Sequence, residues 1–94
     1  MAHSASLSWT APTTGDPATS YVISRATVQA GPFTTVGTST TTTYVDSTVA
    51  AGTTYYYEVE AVNSAGESGP SNEVTAVIPV SLPAAPTGLA VVVA

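Results

Sequence analysis

The residues able to do chemistry in this chain are few and far apart. There is one histidine, His3, close to the N-terminus, and no cysteine. A histidine works as a general base only when its geometry to a nucleophile is held, and terminal residues fray. His3 is therefore not expected to be catalytic. Glu58 and Glu60 stand two apart, which puts both on one face of a strand. Paired carboxylates are the equipment of glycoside hydrolysis, but they must flank the scissile bond from facing elements, and no facing partner is visible. Tyr56 and Val62 share that face. The pair thus reads as part of a half-solvated surface, where unpaired charges belong. Asp16 and Asp46 fall in turns, where a carboxylate caps nearby backbone N–H groups. Calcium would want about six to eight oxygens, and the acidic residues do not cluster. No catalytic residue, metal site or cofactor is expected.

Composition narrows the partners in the same way. The 94 residues carry a net charge of −5, and Arg25 is the single basic side chain. Nucleic-acid binding releases phosphate counterions through several Lys or Arg, so it is excluded, and anionic membrane surfaces are excluded by the same count. No apolar run approaches the roughly 20 residues that span a bilayer. The absence of cysteine rules out a disulfide scaffold and thiolate metal sites, without settling the compartment. Hydrophobic residues make up 44% of the chain and charged residues 7%. That is enough apolar material for one core, and too little charge for a disordered chain. No signal peptide is visible, and Met1-Ala2-His3 reads as a scar of recombinant expression.

The elements that position these residues are short and extended. Val, Thr and Tyr favour pleated surfaces, and Gly, Pro, Asn and Asp divide the chain into strand-length pieces. Ala5 to Thr10 alternates, with Leu7 and Trp9 on one face. Ser20 to Ala26 is the next strand, with Tyr21, Ile23 and Arg25 on one side. Phe33 to Val36 and Thr42 to Val45 follow, separated by a Thr-rich connection. Thr54 to Asn63 is the strongest strand, with Tyr55, Tyr57, Val59 and Ala61 on one face. Ser71 to Ile78 and an apolar Gly88 to Val93 complete the set, joined by a stiff extended linker from Pro79 to Pro86. About seven strands and no helix predict an antiparallel sandwich. Its core is expected around Leu7, Trp9, Tyr21, Ile23, Tyr55, Tyr57, Val59, Val74 and Ala76. Tyr56, on the other face, reads as a cross-strand aromatic pair, with a binding face as the alternative.

Several motifs, taken together, resemble the fibronectin type III domain. Leu7-Ser8-Trp9-Thr10-Ala11-Pro12 is similar to its second strand and Tyr21-Val22-Ile23 to its third. Val49 to Tyr55 is similar to the turn into its sixth strand, which Val59-Glu60-Ala61-Val62-Asn63 continues. Gly66 to Ser71 is similar to the loop before its last strand, and Ala85-Pro86-Thr87-Gly88-Leu89 to its first strand. The resemblance implies a seven-stranded, all-β immunoglobulin-like sandwich. It implies that Tyr55 is a corner tyrosine bonded to upstream backbone. Some members carry an Arg-Gly-Asp motif where this chain has Asn63 to Pro70; the motif is absent here, so integrin binding is not carried over.

The order of the motifs departs from the family, because the first-strand motif comes last. Residues 1–78 are read as a core lacking its N-terminal strand, 79–86 as a linker and 87–94 as the displaced first strand. That strand fits the open edge beside Leu7 and Trp9, through Leu89, Val91 and Val93. The resemblance implies that the last strand ends at the pole opposite to where the first begins, so residues 79–86, which reach roughly 26–29 Å when extended, would have to run back along a strand of about 20 Å plus the loops at each end. Donation to a neighbouring molecule is therefore expected. Folding back into the same chain and an undocked tail are the alternatives. In composition the chain is similar to fibronectin type III modules of bacterial secreted polysaccharide-degrading enzymes. This implies a secreted, non-catalytic spacer between a catalytic and a carbohydrate-binding domain. A module that binds polysaccharide or protein is the second reading, and an engineered or recut chain the third.

Overall fold

A computed structural model of the chain describes residues 3–80, 83 and 85–94. All regular structure in it is antiparallel strand: β1 (Ala5–Ser8), β2 (Ser20–Ala26), β3 (Thr34–Ser39), β4 (Thr43–Asp46), β5 (Thr54–Asn63), β6 (Gly66–Glu67) and β7 (Val74–Val77). No helix occurs among the described residues. β1 and β4 form a two-stranded sheet. The second sheet runs β3–β2–β5, with β6 and β7 both on the far edge of β5.

The two sheets meet face to face because alternation gives each strand one apolar side. Ile23, Tyr55 and Tyr57 from the larger sheet are buried with Ala5 from the smaller one, and Val49 and Ile78 close the cluster. Leu7, Trp9, Val59 and Ala76 pack against it half-buried, and Tyr21 is buried with its ring edge-on to Trp9 at 5.3 Å. Val74 departs from the expected core: it is 42% exposed. It faces a part of the smaller sheet where no strand lies beside β1.

Local chemistry sets the strand ends. β7 starts at Val74 and not at Ser71, because at Ser71 the side-chain hydroxyl, and not a backbone carbonyl, accepts the Val59 N–H. Ser68 and Ser71 fill the gap along β5. Each donates its backbone N–H, to the carbonyls of Ala61 and Val59, and each hydroxyl accepts the N–H of the same residue, at 2.9 and 3.0 Å. β3 extends to Ser39, past the Thr-rich connection expected from Gly37. Its pairing with β2 slips between Ile23 and Ser24, leaving Val36 bulged. The Val36 carbonyl accepts the Tyr44 hydroxyl at 3.2 Å. Gly37 makes that approach possible, since a Cβ there would collide with the Tyr44 phenol ring.

The C-terminal segment is unpaired in the single molecule. Residues 85–94 form no strand, and Leu89 is 99% and Val91 82% exposed, with Val93 equally open. The radius of gyration is 19.8 Å, against about 12 Å for a compact chain of this length. Within one molecule the tail does not fold back. A strand exists only when its N–H and C=O groups find a ladder, and this segment pairs with none of the described strands.

Candidate functional site

Two features stand out: a buried ionic cluster between the sheets, and an open edge. The cluster is centred on Asp46, 2% exposed at the end of β4. Its neighbour across the small sheet is Ala5, and its carboxylate reaches into the larger sheet. There the Arg25 guanidinium donates to Oδ2 at 2.8 Å and the Tyr57 hydroxyl to the same oxygen at 2.7 Å. Thr48 donates to Oδ1 from its backbone N–H at 3.0 Å and its hydroxyl at 2.6 Å. The Thr48 contacts are the turn capping that the sequence suggests. The other two were not legible, because they join residues 21 and 11 positions apart.

Burial alone would raise the pKa of Asp46. The hydrogen bonds from Thr48, Tyr57 and Arg25 outweigh it and hold the carboxyl at about 2, below the usual 3.8. Burial and the adjacent carboxylate together raise Tyr57 above the ordinary phenol value. Arg25 is also raised: burial opposes its charge, but the hydrogen bond and the charge of Asp46 prevail. Its guanidinium lies 4.7 Å from the centre of the Tyr55 ring, a cation–π contact. The Tyr55 hydroxyl in turn accepts the N–H of Ala50 at 2.9 Å, the corner arrangement expected for it. An acid poised near neutrality is what proton transfer needs. Asp46 is instead fixed as an anion with both oxygens engaged, and it ties β4 to β2 and β5.

The other candidates lie apart from this cluster. Glu58 and Glu60 are half-buried on the outer face of β5, across from Ser24 and Val22 of β2. Tyr56 is half-buried between Ala26 and Thr75, so the expected aromatic pairing is not formed: neither directly opposed residue is aromatic. Asp16 is exposed in the loop before β2, and His3 is half-buried ahead of β1. Among the described residues no three His, Cys, Asp or Glu side chains gather as a metal site.

The open edge belongs to β1. Among the described residues it pairs with β4 alone, and β7 pairs with β5 alone. Residues 4–8 and 74–79 line a solvent-open groove of about 460 Å³ between them.

Comparison with known proteins agrees with this architecture. The model of the fibronectin type III domain matches residues 1–77. A Fn3-like protein from Clostridium thermocellum is 40% identical, with a TM-score of 0.71 over 84% of this chain and 80% of that one. The twitchin kinase region from C. elegans is 26% identical with a TM-score of 0.76, over 84% of this chain and 14% of that one. Titin domains A168–A170 are 28% identical with a TM-score of 0.74, over 81% and 27%. Among curated proteins none matches. The paired sheets, the corner tyrosine at Tyr55 and a family match over most of its length all lead to one assignment: the chain belongs to the fibronectin type III domain family.

Proposed function

We propose that the chain is a non-catalytic spacer module of a secreted, bacterial, polysaccharide-degrading multidomain protein, able to associate with its own kind through residues 87–94. The observation that carries the non-catalytic reading is the Asp46 cluster. The one fully buried carboxylate among the described residues is saturated with donors and serves to hold two sheets together. The other acidic side chains are dispersed: Asp16 and Glu73 in loops, Glu67 in β6, and Glu58 and Glu60 on the outer face of β5. The 40% identity to a bacterial Fn3-like protein supports the bacterial setting. The Ser- and Thr-rich, lysine-free composition supports a secreted one. Self-association is supported by the exposed, unpaired Leu89, Val91 and Val93.

Retention on cellulose, chitin and starch is the test, combined with hydrolysis of soluble glycosides. The expected result is neither retention nor turnover. Saturable retention on one polysaccharide would replace the spacer reading with a binding module. Turnover lost on substituting a single Glu or Asp would overturn the non-catalytic reading.

A further inference from the structure

We infer that the groove between β1 and β7 is an acceptor site for residues 87–93 of a second copy of this chain, which enter as a strand on the free edge of β1. This deepens the self-association proposed above and rests on reading the chain as a structural module.

Two halves of one interface are present in each molecule. The acceptor half is the unpaired edge of β1 and the groove of about 460 Å³ beside it, with Ala5, Leu7, Ala76 and Ile78 along its walls. Exposed edges are normally paired or covered. The donor half is Thr87 to Val93, whose Leu89, Val91 and Val93 share one side when extended. Those residues match the apolar wall, and Ala90 and Val92 then face outward like Ser6 and Ser8 of β1.

Electrostatics does not oppose the union. Although the net charge is −5, neither residues 4–8 and 74–79 nor residues 85–94 contain a charged side chain. No ion need be desolvated. A seven-residue strand is about 23 Å long. Laid in the groove along one face and one edge, it covers on the order of 600 Å² on each partner, at the low end for a specific interface.

The occupant is a second copy because the molecule's own tail is elsewhere. Leu89 and Val91 are 99% and 82% exposed. Residues 79–86 span at most roughly 26–29 Å, with prolines at 79, 83 and 86 stiffening the return. Donor and acceptor are different surfaces, so the contact is heterologous and continues from copy to copy as a ring or an open chain.

Size-exclusion chromatography with light scattering on the full chain, across a wide concentration range, is the test. Mass is expected to grow with concentration past the dimer. Val91→Glu should return the protein to a folded monomer, because Val91 is exposed in its own molecule. A monomer at every concentration, or assembly unchanged by Val91→Glu, would overturn the inference. The chain has no cysteine, so Ser6→Cys combined with Ala90→Cys or Val92→Cys reports the arrangement after oxidation. A ladder of covalent multimers is expected, and closure within one chain would refute donation. Monomeric behaviour defeats the acceptor site and leaves the spacer reading standing; polysaccharide retention does the reverse.

Discussion

β5 and the C-terminal segment are written in the same chemical alphabet and meet opposite fates. Both can present a row of apolar side chains on one face: Tyr55, Tyr57, Val59 and Ala61 in β5, and Leu89, Val91 and Val93 in the C-terminal segment. β5 has neighbours on both edges, with β2 on one and β6 and β7 on the other, and its Tyr55 and Tyr57 are buried. Residues 87–93 have no neighbour, and their side chains stand in solvent. The difference teaches that strand propensity is permission and not cause. What makes a strand is an edge within reach, with groups whose hydrogen bonds replace those to water.

Substitutions should separate the two regions by size of effect. Tyr57→Ala removes a buried ring and a donor to Asp46, and is expected to cost about 4 kcal/mol. Against a total of about 5–15 kcal/mol, that leaves a protein close to unfolding in mild urea. Denaturation followed by the fluorescence of the single tryptophan, Trp9, measures it. A midpoint near wild type would mean that β5 does not anchor the core.

Asp46→Asn comes next. It keeps the size of the side chain and leaves Arg25 without its countercharge. Losing one partner of a buried pair costs about 3–5 kcal/mol; with the Arg25 side chain 23% exposed, the lower end, about 3 kcal/mol, is expected. The same urea titration checks it, and an effect below about 1 kcal/mol would show a surface-like ion pair.

Acid gives a smaller and graded effect. The Asp46 carboxyl is lower in the folded state, at about 2, than its usual 3.8, so unfolding takes up a proton. Its contribution is therefore complete above the unfolded value and is lost as pH falls from about 4 to about 2. The shift corresponds to about 2 kcal/mol. Urea midpoints should fall across that interval in the wild type and fall less in Asp46→Asn. Parallel slopes would assign the acid sensitivity to other carboxyls.

Leu89→Ser should have the smallest effect. In dilute solution, where each molecule is alone, the midpoint should move by no more than about 0.5 kcal/mol. A larger loss under those conditions would mean that the tail packs on its own core.

Much of the fold was legible from spacing. The bounds of β2 and β5 and the inward side of each follow from period-two alternation. The extent of β3 was not, since its threonines read as a connection, and only pairing with β2 around a bulge at Val36 carries it to Ser39. Ile78, Ala5 and Val49 were missed as core residues. Each lies at a strand end or in a corner, where burial depends on how the chain turns and not on alternation. Asp46 read as a capping residue, and half of its hydrogen bonds are that. The other half cross from one sheet to the other, and no local pattern encodes such a meeting.

The sequence by itself determined the all-β class and the alternating faces of β2 and β5. These depend on residue type and near-neighbour spacing, which backbone sterics and side-chain periodicity translate directly into shape. Only the tertiary structure decided that Asp46 is buried between the sheets with Arg25 and Tyr57, and that residues 85–94 remain unpaired in a single molecule. Both outcomes turn on which distant groups come within hydrogen-bonding distance, and that is a property of the packed chain.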